Sequence, residues 1–527
     1  MTATDSHPAD HVVADQQPVF ALLANPATHG FSGEVTRIDT HGAALFLVGD
    51  DVYKVKRAVR FSFMDLSTLA RREAACRREL ELNRPAAPDI YLDLVAITRR
   101  DGALHLGGEG APGSEIVEWA VHMRRFDENA TLDRIADAGG LTPARIDALA
   151  KAVFAFHQGA AVHRDVDPAA SLAGVADGLI EGLGEMPELF APARVAAFAS
   201  TLADTRERLA PLLARRARAG EVRRCHGDLH LRNVALIEGT PVLFDALEFD
   251  EALATIDRLY DLAFLLMDLD RRGQAHAANL MLNRYLAACG DAPPYDGLTA
   301  LPLFLALRAG IRARVMAAAL GSRPGAARAA AHAETLGYLS YAERVLVPVP
   351  ARLIAVGGLS GTGKSTLAAN LAPHIGPAPG AVHLRSDVER KRLAGVDELE
   401  ALPATAYSQA AADAVYAELR ARAGAVLAAG HAVVVDGMHQ RVDERAAIEE
   451  VARGHGAAFI GLWLDAPVEA RAARVEARRG DASDATPEVV RRQAAWNSGA
   501  PGWTTIDASG APEVVLARAL ARLGATR

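Results

Sequence analysis

The sequence predicts two domains in tandem: an α+β domain over residues 21–345 and, from residue 352, an α/β domain built on a doubly wound, mostly parallel five-stranded sheet. Three observations predict this. Beyond residue 350, five β-branched runs (RLIAVGG, VHLRSD, AVVVDG, AFIGLWLDA and WTTIDAS) alternate with helical stretches, the pattern of strands joined by crossover helices. Ahead of residue 125 short alternating runs prevail, and from 141 to 345 helical stretches do. Between the halves, VLVPVPARL has two prolines two residues apart and is extended, so residues 346–351 read as a linker.

Taken in order, residues 1–20 are polar and acidic and read as a disordered tail. From Val35, VTRIDTHGAALFLVGDDVYKVKR alternates like strands joined by turns at His41-Gly42 and Asp50-Asp51. Ser67 opens a helix that runs to about Asn83, and EIVEWAVHMRRF forms a further strand. Residues 233–245 form a hairpin in which VALIEG and PVLFD flank a Glu-Gly turn.

Half of the 527 residues are hydrophobic and 23% are charged, a composition that supports a packed core. The net charge of −8 argues against a broad phosphate-tracking surface, so no nucleic-acid partner is expected. No apolar run reaches the length of a membrane helix, and the N-terminus lacks the parts of a signal peptide. Three separated cysteines (Cys76, Cys225, Cys289) give neither a disulfide framework nor zinc spacing. A cytoplasmic protein without a membrane partner is expected, of an oligomeric state the sequence does not give.

Only five lysines stand against fifty-two arginines. In a chain so biased, a lysine marks places where a compact point charge serves better than a planar fork. Lys364 closes Gly358-Leu-Ser360-Gly361-Thr362-Gly363-Lys364-Ser365, with Thr366 following. An apolar strand precedes this run and a helix follows, the context in which a Gly-rich loop cradles nucleotide phosphates. Lys364 would reach the β and γ phosphates, and the Ser365 hydroxyl would ligate Mg²⁺. Asp387 and Asp436 end the second and third strands, where carboxylates face the ligand crevice of such sheets. Together they suggest a base and a metal-holding acid; taken singly, each has a competing reading as a cap on the next helix. Arg471, Arg474 and Arg478 recur at helical spacing before a polar loop, as in a lid that carries arginines to a transferring phosphoryl group, and equally as on a solvated amphipathic helix.

GGLSGTGKST, LRSDVERKRL, VVVDGMHQR, LWLDAPVEARAARVEARR and DASDATPE together resemble the P-loop kinases related to gluconate kinase, zeta toxins and phage polynucleotide kinase. The resemblance implies an ATP site over about 350–527, with Asp387 accepting the proton of the acceptor hydroxyl and Arg474 and Arg478 among the nucleotide-binding residues. Residues 391–410, which should select the acceptor, match none of those kinases' acceptor patterns.

In the first half, Cys225-His226-Gly227-Asp228 is followed by Asn233, and Asp245 ends the second hairpin strand. Asp228 can take a hydroxyl proton while Asn233 and Asp245 hold Mg²⁺ ions on ATP phosphates. With Asp257 and Tyr260-Asp261-Leu-Ala, this constellation resembles the aminoglycoside phosphotransferase branch of the bilobal protein-kinase-like fold over roughly 35–345. The resemblance implies that the strand DDVYKVKR supplies a lysine to the ATP phosphates. Lys54 and Lys56 share a face; Lys54 is preferred, since Val52 two residues before it is small enough to roof an adenine. The partner acid implied is Glu79, although apolar periodicity brings Glu73 nearer the stripe of Leu69, Cys76 and Leu80. Asp261 would brace the catalytic loop. The turn between the first strands, over residues 35–56, carries no G-x-G-x-x-G flap, no phenylalanine follows Asp245, and no A-P-E segment occurs in residues 35–345, which favours a small-molecule acceptor over a protein.

In this order the two halves resemble a bacterial two-domain family joining an aminoglycoside phosphotransferase-like domain to a P-loop kinase domain. The expectation is an ATP-dependent phosphotransferase with Mg²⁺ at both sites and a small hydroxyl-bearing acceptor. Two alternatives remain: a nucleotide-responsive regulator with one active half, and a polynucleotide 5′-hydroxyl kinase activity in the second half.

Overall fold

The computed structural model describes residues 11–61, 64–320, 325–496 and 502–524. The chain packs as two compact units, one of Met1–Ser171 with Ala217–Asp261 and one of Leu172–Arg216 with Leu262–Arg527. The helices of 262–345 therefore pack with the second half of the chain.

In the first unit, β1 (Thr36–Asp39), β2 (Ala43–Val48), β3 (Asp51–Lys56), β4 (Tyr91–Arg100), β5 (Ala103–Leu106) and β6 (Glu115–Arg124) form an antiparallel sheet in the order β1-β2-β3-β6-β4-β5. The tight turn between β2 and β3 falls at Gly49-Asp50, one residue earlier than expected. Alternation along β3 divides its side chains between two cores. Val52 joins a cluster with Cys76 of the helix Leu69–Asn83, and Val55 joins the opposite cluster with Phe20 and Leu23. Lys54 and Lys56 therefore face the helix Leu69–Asn83. The tail expectation needs correcting: Gln17–Ala24 is a helix with Val19, Phe20 and Leu23 buried against the sheet. Its apolar side chains cover a face that would otherwise meet water, which outweighs the polar run ahead of them. Residues 1–10 of that tail lie outside the described residues.

The same unit holds β7 (Val222–Arg224), the hairpin β8 (Val234–Ile237) and β9 (Thr240–Leu243), and β10 (Thr255–Asp257), which pairs antiparallel with β7. Glu238 and Gly239 both have positive φ, 49° and 83°, as the two-residue hairpin turn requires.

In the second unit, β11 (Arg352–Gly358), β12 (Val382–Arg385), β13 (Val433–Asp436), β14 (Ala458–Asp465) and β15 (Thr504–Asp507) form a sheet ordered β12-β13-β11-β14-β15, with every pair parallel. These are the five strands expected. Ile354, Val356, Val434, Leu462 and Ile506 meet Leu367, Leu371 and Val515 of the flanking helices in one buried cluster. The reversal of strand order beside β11 opens the crevice where such sheets bind ligands. The helices Ala275–Ala288, Leu301–Ala318 and Gly325–Val345 belong to this unit, as do most of Pro168–Gly184, Pro192–Ala219 and Arg258–Arg271. Among the described residues, no helix is long and apolar enough to cross a membrane.

Candidate active sites

In the first unit the buried stripe of helix Leu69–Asn83 carries Arg72, Glu79 and Asn83 alongside Ala75 and Cys76. Glu79 is fully buried and lies between two ammonium groups, Lys54 Nζ at 2.7 Å and Lys56 Nζ at 2.6 Å. Glu73 instead pairs with Arg77 one turn on. An apolar count favours Glu73 because the polar members of the stripe do not register in it. Lys54 Nζ also donates to Asp245 Oδ1 at 2.7 Å, whereas Lys56 pairs with Glu248. Burial alone would lower the Lys54 pKa, but Asp245 and Glu79 outweigh it and hold it well above the usual lysine value. Burial would likewise raise Glu79, and the two lysines hold it down.

Asp245 sits at φ +60°, a backbone conformation that a non-glycine residue seldom adopts. Its N–H donates to the Tyr91 hydroxyl at 3.0 Å, and the next N–H, of Ala246, donates to Asn83 Oδ1 at 2.7 Å. The loop before the hairpin is held from below: the Asp261 carboxylate accepts from His226 N at 3.1 Å and Gly227 N at 2.9 Å. Asn233 Nδ2 donates to Asp228 Oδ2 at 3.0 Å, and Phe244 N donates to Asn233 O at 3.0 Å, so base candidate, Asn and hairpin are one hydrogen-bonded assembly. Asp228 and Asp245 keep side-chain exposures of 42% and 43%, open enough for ligands to reach.

In the second unit the strand β11 runs into the phosphate loop. Gly361 (φ +80°) has no room for a side chain, since a Cβ there would lie 2.4 Å from the Arg471 carbonyl. Gly363 (φ +89°) opens the helix Lys364–Leu371. Thr362 Oγ1 and Lys364 Nζ both donate to Leu359 O, at 2.8 and 3.1 Å, which closes the loop on itself. Ser360 is held by Gln493, whose Oε1 accepts from Ser360 N at 2.9 Å and whose Nε2 donates to Ser360 Oγ at 3.0 Å. Thr366 is exposed on the first turn, and Gly358 ends β11.

Ser365 Oγ donates to Asp436 Oδ1 at 3.2 Å, and His383 Nε2 lies 2.8 Å from Asp436 Oδ2. Burial would raise Asp436, but His383, Arg385 and Lys364 together hold it below the usual carboxylate value. The hydroxyl and carboxylate are hard oxygen donors beside a phosphate loop, a set that fits Mg²⁺. Asp387 stands in the first turn of the helix Ser386–Leu393, whose cap position is Arg385. Asp436 is equally not the cap of the next helix, which Arg441 occupies. Burial first, and then the charge of Asp436, raise the Asp387 carboxyl above its usual value while Lys364 opposes them. Arg474 donates to Ala508 O at 2.8 Å and reaches Thr362 O of the loop at 3.5 Å. Arg478 donates to Ser483 O and Ala485 O. Sequence reasoning missed His383 and Gln493; a histidine one residue into a strand and a glutamine after a lid carry no local signal.

These contacts lead to a testable result for Lys364. Burial, with Arg478 and Arg471 adding to it, lowers its pKa against the pull of Asp436 and Asp387. Only the ammonium binds phosphate, so ATP affinity at this site should fall as pH rises through a value below that of free lysine. Lys364→Ala should weaken ATP binding about 10–100-fold, the worth of one charge-assisted contact, and should remove that alkaline dependence. Calorimetric titration with ATP across about pH 7–10 checks both; a pH-independent parent rules the assignment out.

Comparison with known proteins identifies both domains. The model of the phosphotransferase enzyme family matches residues 43–298, and that of an AAA domain matches residues 353–499. An uncharacterized protein of Mycobacterium tuberculosis (strain ATCC 25618 / H37Rv) is 33% identical over 477 residues, 88% of this chain and 90% of that one. The chain belongs to the two-domain family that joins an aminoglycoside phosphotransferase-like domain to a P-loop kinase domain. It is a kinase-type phosphotransferase enzyme of that family. A Mycobacterium bovis protein, also uncharacterized, matches with the same identity and coverage. Among solved structures, a sugar kinase from Janibacter sp. HTCC2649 is 22% identical (TM-score 0.26; 34% of this chain and 96% of that chain). A choline/ethanolamine kinase family protein from Mesorhizobium loti is 15% identical (TM-score 0.39; 65% of this chain and 96% of that chain).

Proposed function

We propose that the chain transfers the γ-phosphate of Mg·ATP to small hydroxyl-bearing metabolites, with a nucleotide site in each half. The observation that carries this reading is the Ser365–Asp436 contact beside Lys364, with Asp387 close enough for its carboxyl to feel both charges. When bound, Mg²⁺ neutralises charge on the β and γ phosphates. Lys364 holds the phosphates, Ser365 and Asp436 hold the ion, and Asp387 takes the proton of the acceptor hydroxyl. In the first half Lys54, positioned by Glu79, holds the phosphates of ATP. Asn233 and Asp245 hold the ion there, and Asp228 takes the proton. The negative net charge supports a small acceptor over a polynucleotide.

One observation favours a second reading for the first half. The Lys54–Asp245 pair joins the group meant for phosphate to the group meant for metal, so ATP must separate them. A half that binds ATP through this exchange without turnover would be a nucleotide-responsive regulator. The test is radiolabelled γ-phosphate transfer by the full chain onto sugars, aminoglycosides, nucleosides and oligonucleotides, with Asp228→Asn and Asp387→Asn used in turn. A small hydroxyl acceptor labelled by the parent and lost in one variant assigns it to that half. Label only on oligonucleotides overturns the small-acceptor reading.

A further inference from the structure

The helix Ala275–Ala288 lies within the stretch that the phosphotransferase family model matches, yet it packs in the same unit as the phosphate loop. Its contact there is with β12, the edge strand of the parallel sheet. An edge strand leaves one row of backbone groups without strand partners. Asn283 Oδ1 accepts from His383 N at 2.7 Å, and Asn283 Nδ2 donates to Ala381 O at 3.2 Å. Asn279 Nδ2, almost fully buried, donates to the same carbonyl at 2.9 Å. Two side-chain amides thus replace a missing strand. The fit is close: a Cβ at Gly380 would lie 2.9 Å from Asn279 Nδ2. Neighbouring contacts fix the same junction, with Arg284 paired to Glu398 at 2.5 Å, Arg422 donating to Gly290 O at 2.9 Å, and Thr299 Oγ1 donating to Ala429 O at 3.0 Å.

The residue whose N–H Asn283 holds is the one whose ring holds Asp436. From Asn283 the hydrogen bonds run to the backbone of His383, from its Nε2 to Asp436 Oδ2, and from Asp436 Oδ1 to Ser365. We propose that Asn283 is a positioning residue for the P-loop site: by fixing the backbone of β12 it sets where the His383 ring stands, and so the direction in which the Asp436 carboxylate presents itself to Mg²⁺. The inference rests on the reading of Asp436 as a metal-holding acid. It makes the second-half kinase dependent on a helix that the sequence assigns to the first half, so residues 352–527 alone do not hold the complete site.

The test uses the full chain in a Lys54→Met background, which disables the first-half site, and reads calorimetric ATP binding with and without Mg²⁺. Asn283→Leu is expected to cut the Mg²⁺-dependent gain in ATP affinity about 10-fold, the low end for losing an outer-shell partner of a metal ligand. ATP affinity without Mg²⁺ should change less than about 2-fold, because the phosphate loop itself is untouched. Asn283→Asp keeps the acceptor for His383 N and should restore most of the gain. Asn283→Ala serves as the milder change if the leucine variant does not fold. A folded Asn283 variant with the parent's Mg²⁺ gain, while Asp436→Asn loses it, overturns the positioning role alone. An unchanged gain in Asp436→Asn overturns the metal reading, and this inference falls with it.

Discussion

Asp387→Asn is expected to lower acceptor phosphorylation by the second-half site about 10²–10⁴-fold, the usual worth of a positioned base, while ATP affinity is expected to stay within about threefold. The asymmetry follows from what the residue touches. Asp387 is in the first turn of Ser386–Leu393, near enough to Lys364 and Asp436 for their charges to act on it, but the proposed metal contact falls to Ser365 and Asp436, which are hydrogen-bonded to each other. Asparagine keeps the volume and the hydrogen-bonding outline, so folding and nucleotide binding have little reason to change. It cannot accept a proton. Burial and the neighbouring Asp436 raise the carboxyl above its ordinary value, which makes it a stronger base than a surface aspartate. Single-turnover transfer to whichever acceptor the parent labels, beside equilibrium ATP binding, separates the two quantities. Transfer at the parent's rate would return Asp387 to a structural role and make Asp436 the next candidate.

What was legible in the sequence was local. The phosphate loop announces itself because its glycines, lysine and serine are consecutive and their spacing is set by backbone geometry, and the five parallel strands by their apolar runs. Glu79 was legible only through resemblance, since its stripe is half polar and Arg72, Glu79 and Asn83 hide it from an apolar count. The helix Gln17–Ala24 was missed because it is only eight residues long and follows a polar, acidic stretch. His383, Gln493, Asn279 and Asn283 could not be read, because each acts on a partner 53 to 133 residues away. The same reason hides the packing of helices 262–345 with the second half: nothing in their composition names the surface they cover.

In the first half, Asp228→Asn is expected to abolish transfer by that site, a loss of about 10²–10⁴-fold, and to leave Mg·ATP binding near the parent's. Asp245→Asn should do the opposite at the binding step. The two carboxylates are equally exposed, but their partners differ. Asp228 is tied to Asn233 and His230 within the loop that Asp261 braces, and its proposed role is toward the acceptor hydroxyl. Asp245 faces Lys54, so it shares the ground where phosphates and metal must go. Removing its charge takes an anionic oxygen from a hard cation that prefers carboxylates, and Mg²⁺-dependent ATP affinity should fall by about 10-fold or more. The same change frees Lys54 from one of its two carboxylates, so ATP binding without Mg²⁺ should hold or improve. That opposite movement is what an ordinary loss of stability would not produce. Titration of the full chain with ATP, with and without Mg²⁺ and with Lys364→Ala silencing the other site, reads both directions. If both variants bind ATP as the parent does and the parent transfers nothing through this half, the Lys54–Asp245 pair is a fixed structural bridge and the phosphotransferase activity lies in the P-loop half alone.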